Sequence, residues 1–91
     1  EVVDKNEKKI RLTKTQWSYI RRNHSEIEIP EEIEETLKNP DSIILDERED
    51  VRNFFKFFKY KKHKSKFLKV IVKYLNGEGF VITAHFVRSI K

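Results

Sequence analysis

The sequence predicts an α+β domain in which two N-terminal helices pack on a four-stranded antiparallel sheet. Apolar residues recur with helical spacing before Pro40, and short runs rich in β-branched and aromatic residues follow it. A chain of 91 residues without internal repeats has room for a single core. The change of period at Pro40 therefore separates a helical half from a sheet half within one domain.

The first helix has a defined start. The segment "TKTQ" predicts a capping box, in which Thr13 accepts from a first-turn amide and Gln16 reaches back. The helix is then expected to run to about His24, with Trp17, Ile20 and His24 on one face.

The second helix is expected to begin at Pro30, a favoured first helical residue, and to end before "NP" at residues 39–40. Four strands should follow, in "SIILDE", "FFKFFKY", "FLKVIVKYL" and "GFVITAHFV". The segment "KKIRLT" is a further candidate for a short strand. We expect a loose N-terminal segment over residues 1–9 and a single domain over residues 10–91.

Alternation of polar and apolar residues sets the expected pairing of the last two strands. A three-residue loop at 76–78 would pair Lys69 with His85 and Ile71 with Thr83 on the face away from the core. The expected core face of the last strand carries Phe80, Ile82, Ala84 and Phe86. A two-residue Asn-Gly turn would mix polar and apolar side chains on both faces, so the three-residue loop is preferred.

The charge is sorted along the chain. Residues 1–51 hold nine Lys/Arg and fourteen Asp/Glu, a net charge of −5, whereas residues 52–91 hold eleven Lys/Arg and one acid, Glu78, a net charge of +10. A block this basic predicts a surface for a phosphate-bearing partner, in the first instance RNA. The alternative is a well-solvated surface of the kind enriched in thermophile proteins.

The composition excludes several classes of protein. No window approaches the roughly 18 apolar residues that a membrane span needs, and the absence of Cys excludes disulfides and thiolate metal sites. Three scattered His without an adjacent acidic cluster do not form a metal-ligand pattern, and no glycine-rich phosphate loop is present. The sequence therefore predicts a cytoplasmic protein with no membrane partner, no cofactor and no metal site.

His85, Lys69 and Thr83 form the primary candidate site. Cleavage of RNA without a metal needs a base for the 2′-OH proton, an acid for the leaving 5′-oxygen and cationic donors for the phosphorane. Histidine titrates near neutrality and can fill either proton-transfer role. Lys69 can stabilise phosphate charge and disfavour protonation of His85, and Thr83 can position a phosphate oxygen. A solvated strand histidine is the alternative for His85.

The remaining candidates lie on the first helix and the basic strands. Arg21 and Arg22 are adjacent, so at most one of them readily joins a single site. His24 lies on the apolar stripe of its helix, where a buried histidine capping the helix end competes with a catalytic role; His63 is assigned to a mobile basic loop. The predicted substrate contacts are Arg21, Lys59, Tyr60, Lys61 and Lys73, and the predicted catalytic set is His85, Thr83, Lys69, Arg22 and His24.

The stretches "QWSYIRRNHSEI", "IEETLKNPDSI" and "VITAHF" together resemble the phage barnase–EndoU–colicin–RelE-like nuclease domains. The resemblance covers about residues 10–87 and aligns His24 with the histidine of an Arg–His–Pro–Glu turn and Thr83 with a threonine of the last strand. Tyr19, Asn23 and Ser25 depart from the family pattern. The resemblance implies a RelE/barnase-like fold, ribonuclease activity and a toxin role, with an acidic antitoxin as protein partner. A non-catalytic RNA-binding module and a basic protein-interaction domain are the alternative functions.

Overall fold

A computed structural model describes residues 2–90 of the chain, and it contains two helices and six strands. The elements in chain order are β1 Val2–Val3, β2 Lys9–Arg11, α1 Lys14–Asn23, α2 Pro30–Lys38, β3 Ser42–Leu45, β4 Val51–Phe57, β5 Phe67–Leu75 and β6 Glu78–Val87. Neither helix is long and apolar enough to cross a membrane.

The sheet corrects the predicted fold class. Instead of four antiparallel strands, it has six strands in the order β1-β2-β6-β5-β4-β3, and it is mixed. β2 pairs in parallel with β6, through Ile10 opposite Gly79 and Arg11 opposite Phe80. The other neighbours are antiparallel. The short strand predicted in "KKIRLT" is therefore a member of the sheet that the four-strand prediction left out.

The segment ahead of β2 is held to the domain by Asp4. Its buried carboxylate accepts hydrogen bonds from the backbone amides of Asn6 and Lys8, at 2.8 and 2.9 Å, and from the hydroxyl of Tyr74 on β5, at 2.9 Å. Val2–Val3 pair with β2 as β1. The described part of the expected loose segment is thus integrated into the sheet; Glu1 lies outside the described residues.

The N-terminus of α1 confirms half of the predicted capping box. Thr13 is the N-cap and its hydroxyl accepts from the Gln16 amide at 3.1 Å. The Gln16 side chain, however, donates to the backbone carbonyl of Ile82 on β6. Gln16 therefore ties the first turn of α1 to the sheet instead of closing its own cap.

The hairpin between β5 and β6 contains both registers that the sequence allowed. Away from the turn, Lys69 faces His85 and Ile71 faces Thr83, as predicted. At the turn, Leu75 faces Glu78 across a two-residue Asn-Gly loop, so the preferred three-residue loop is wrong. The register shifts between Ile71, which faces Thr83, and Val72, which faces Val81. Ile82 is left without a partner on β5 and forms a β-bulge.

The bulge determines which side chains of β6 enter the core. Val81, Ala84 and Phe86 are buried there, whereas Phe80 and Ile82, predicted in the core, are only half-buried and are not among its members. The helices contribute Ile20 from α1 and Ile33 and Leu37 from α2. The central strands contribute Phe54, Leu68, Val70 and Val72. We call the opposite side of the sheet, which bears Lys69, Lys73, Thr83 and His85, the outer face.

Candidate functional site

The outer face brings together the predicted residues of β5 and β6. Lys69 lies directly across from His85, and Thr83 is two residues from His85 on the same strand face. Lys73 is farther along β5 on the same face, opposite Phe80. All four polar side chains are half-buried. The alternation of β5 and β6 thus places two cations, a hydroxyl and an imidazole on one surface.

The structure adds His24 to this group. The residue is the C-cap of α1, where its backbone N–H donates to the carbonyl of Ile20 at 2.7 Å. At the C-cap the chain leaves the helical path (φ −138°, ψ 72°), and the imidazole lies beside that of His85. The two ring centroids are 5.3 Å apart with an interplanar angle of 30°. The predicted position of His24 at the helix end is confirmed, but its side chain is half-buried, with 33% exposed, and not fully buried.

The environment of His85 favours its neutral form. Burial lowers the pKa of His85 below its ordinary value, and the charges of His24 and Lys69 lower it further, while Glu26 opposes them. An imidazole that is neutral near pH 7 has a free nitrogen lone pair and can accept a proton. His85 is therefore suited to the role of a base.

Glu26 gives His24 a different environment. A carboxylate oxygen of Glu26 lies 3.7 Å from Nδ1 of His24. The loop that carries Glu26 is shaped by Arg21, whose guanidinium donates to the carbonyls of Ser25 and Ile27 at 2.8 and 2.9 Å. Of the two histidines in ring contact, His85 thus has surroundings that favour its neutral form, and His24 has a carboxylate beside it. No pattern in the sequence indicates Glu26, since it lies in a loop without periodic spacing.

Arg21 and Arg22 of α1 make different contacts, as expected for adjacent residues on a helix. Arg21 is occupied by the loop carbonyls and also lies 6.0 Å from the ring centroid of Trp17. Arg22 is exposed and makes none of these contacts. Both arginines are exposed, but Arg21 positions the loop that carries Glu26 and Arg22 has no contact with that loop.

Three predicted substrate contacts lie outside the strand on which they were placed. β4 ends at Phe57, so Lys59, Tyr60 and Lys61 belong to the following turn. Lys59 is exposed. Tyr60 donates its hydroxyl to Glu32 on α2, and burial, followed by the effect of Glu32, raises the pKa of Tyr60 to about 12.

Lys61 is a buried member of the helix–sheet packing. Its ammonium group lies 2.9 Å from the carboxylate of Glu32, 3.2 Å from that of Glu28 and 2.9 Å from the carbonyl of Glu26. It also lies 5.0 Å from the ring centroid of Phe86. The Lys61 side chain is 5% exposed and that of Glu32 is 3% exposed. These contacts remove Lys61 from the cations that face solvent.

The third histidine lies near the same end of the domain. His63 packs edge-on against Phe86, with ring centroids 5.2 Å apart, and Phe86 follows His85 in the chain. His63 also lines a concave surface with Ser25 and Glu26, the two residues that follow His24 in the chain. Among residues 2–90, no three His, Asp or Glu side chains come together in a way that could hold a metal ion.

Comparisons with known proteins leave the family resemblance resting on the sequence motifs alone. No protein-family model, no curated protein and no solved structure matches the chain. Any assignment of function therefore has to come from the geometry of the site.

Proposed function

We propose that this chain is an endoribonuclease domain that cleaves RNA by attack of the 2′-OH on the adjacent phosphate. The proposal rests on the His24–His85 ring pair, 5.3 Å between centroids, beside the cationic outer face. Two imidazoles within reach of one phosphate provide a base and an acid for the same transesterification.

The lowered pKa of His85 assigns the roles of the two rings. His85 accepts the proton of the 2′-OH as the oxygen attacks phosphorus. His24, the other ring of the pair, donates a proton to the 5′-oxygen as the P–O5′ bond breaks. The products are a 2′,3′-cyclic phosphate and a 5′-hydroxyl, and the two rings have exchanged protonation states. Solvent proton exchange returns them to the starting state.

The other residues of the outer face act on phosphate charge. Lys69, directly opposite His85, stabilises the additional negative charge of the phosphorane. Thr83, on the same face, donates a hydrogen bond to a non-bridging oxygen. Lys73, Arg22 and Lys59 are exposed or half-buried cations that contact the flanking backbone.

Incubation with labelled single-stranded RNA in EDTA tests the proposal. We expect cleavage that leaves 2′,3′-cyclic phosphate ends and falls by about 10²–10⁴-fold in His85→Ala and in His24→Ala, the usual contribution of a general acid or base. His63→Ala is the matched control, because it removes the third histidine, whose ring contacts Phe86 and not the His24–His85 pair. Salt-sensitive RNA binding without cleavage would instead identify the domain as a non-catalytic RNA-binding module.

A further inference from the structure

A pocket beside the candidate catalytic pair is built from the outer face and the chain that follows β6. It has a volume of about 290 Å³ and is lined by Phe55, Lys69, Val87, Arg88 and Ser89. Lys69 is the cross-strand neighbour of His85, and Val87 is two residues beyond His85 on the same face. The pocket is therefore continuous with the surface that carries His85.

The described lining of this pocket carries positive charge only. Both of its charged lining residues are cations, and within residues 2–90 the side chain of neither Lys69 nor Arg88 forms an ion pair or a hydrogen bond. The floor is apolar, since Phe55 is only 1% exposed and the Lys69 ammonium lies 5.9 Å from its ring centroid. Two cations over a low-dielectric floor attract an anion more strongly than the same cations in open solvent.

Two other concave surfaces carry both signs of charge. The pocket between residues 25–28 and 60–63 is lined by two glutamates and two lysines, of which Lys61 is paired with carboxylates. The pocket at the β3–β4 turn is lined by four acidic residues and two arginines. The pocket beside His85 differs from both, because its described lining has two cations and no acidic residue.

The geometry points to a second phosphate subsite, in which Lys69 and Arg88 hold the backbone phosphodiester next to the one that is cleaved. This inference rests on the proposed ribonuclease function and extends it: the substrate is an oligonucleotide with at least two phosphates. Arg88 presents several N–H donors in a fork that matches two phosphate oxygens. Lys69 lies between the two phosphates and contributes to both.

Binding of a 2′-O-methyl hexanucleotide tests the subsite without requiring cleavage, because this RNA lacks the attacking hydroxyl. Affinity is measured by fluorescence anisotropy between 50 and 200 mM salt. Loss of one phosphate contact should reduce the slope of log K against log salt by about 0.7 in Arg88→Gln. Lys38→Gln, which removes one exposed charge from the end of α2, should leave the slope unchanged.

Neutral methylphosphonate linkages locate the contact. Each phosphate is substituted in turn. We expect one linkage at which the substitution weakens RNA binding by the wild-type protein but does not change RNA binding by Arg88→Gln. An Arg88→Gln slope equal to that of the wild-type protein, or no linkage with this pattern, would overturn the subsite. A hexaglutamate peptide that bound with the same dependence on Arg88 would also overturn it.

The two proposals fail separately. If unmodified RNA is bound but not cleaved and Arg88→Gln lowers the slope, the phosphate subsite stands and the nuclease proposal falls. If RNA is cleaved and the Arg88→Gln slope is unchanged, the nuclease proposal stands and the subsite falls. If the hexanucleotide is not bound and unmodified RNA is neither bound nor cleaved, both fall.

Discussion

Replacing Lys61 by alanine should destabilise the protein strongly without acting through RNA. The change leaves Glu32, whose side chain is 3% exposed, without its 2.9 Å ammonium partner. The Tyr60 hydroxyl and the Glu28 amide remain as hydrogen-bond donors, but neither carries a positive charge. Breaking a buried ion pair from one side costs about 3–5 kcal/mol, because a buried charge is left uncompensated.

This loss is large relative to the stability of a domain of this size. At about 0.05–0.15 kcal/mol per residue, the folded state is favoured by roughly 5–14 kcal/mol. With a urea m-value of about 1–1.5 kcal/mol/M, the midpoint of unfolding should fall by about 2–5 M in Lys61→Ala. Lys62→Ala, an exposed neighbour, should change the free energy of unfolding by less than about 0.5 kcal/mol.

A double variant separates the buried charge from the loss of packing. Lys61→Met with Glu32→Leu removes both charges and keeps apolar volume, so most of the lost stability should return. The reasoning is refuted if Lys61→Ala unfolds at the wild-type urea concentration and instead binds RNA more weakly. That result would place the Lys61 ammonium in solvent, where the sequence-based prediction had put it.

Three further predictions concern the sheet and its histidine. Because the pKa of His85 is lowered in the folded state, the unfolded chain binds more protons than the folded chain as the pH falls below about 6.5. The free energy of unfolding should therefore be highest above that pH and decrease below it. Urea titrations between pH 5 and 8 should show a smaller decrease in His85→Gln than in the wild-type protein. A Cβ at Gly79 would lie 3.0 Å from Val72 and 3.1 Å from Ile10, so Gly79→Ala should cost about 1–3 kcal/mol by urea denaturation, and an unchanged midpoint would show that β2 moves freely. Gln16→Ala leaves the Ile82 carbonyl without its donor and should lower the free energy of unfolding by about 1 kcal/mol. Amide exchange in the first turn of α1 should be faster, and wild-type exchange rates would show that this hydrogen bond does not hold the turn to the sheet.

The helices were predictable because their signals are local. Thr13 and Pro30 mark starts that depend on the next few residues only, and both helices begin where these residues indicate. The parallel pairing of β2 was not predictable in the same way. Its three residues include one buried apolar side chain, Ile10, and its partner lies 69 positions away at Gly79. Alternation over three residues cannot specify a partner strand.

The register of β6 could be predicted on one side of the bulge only. Phe80, Val81 and Ile82 are consecutive apolar residues, so the pattern fits either face at the point where the register changes. The sequence therefore placed Lys69 opposite His85 correctly and Phe80 on the wrong face. The contact between His24 and His85 depends on the backbone path at a helix end, which helical spacing does not describe.

The parallel pairing of β2 with β6 has a consequence for synthesis of the chain. β6 lies between β2 and β5 in the sheet, although it is made last. Residues 2–11 emerge from the ribosome 69 positions before the strand that holds them, a delay of about 3–14 s at roughly 5–20 residues per second. During this interval β1 and β2 have an unpaired edge, and β5 has no neighbour on the β6 side. Completion of the sheet is consequently a late, long-range step, as expected for a fold dominated by non-local pairing.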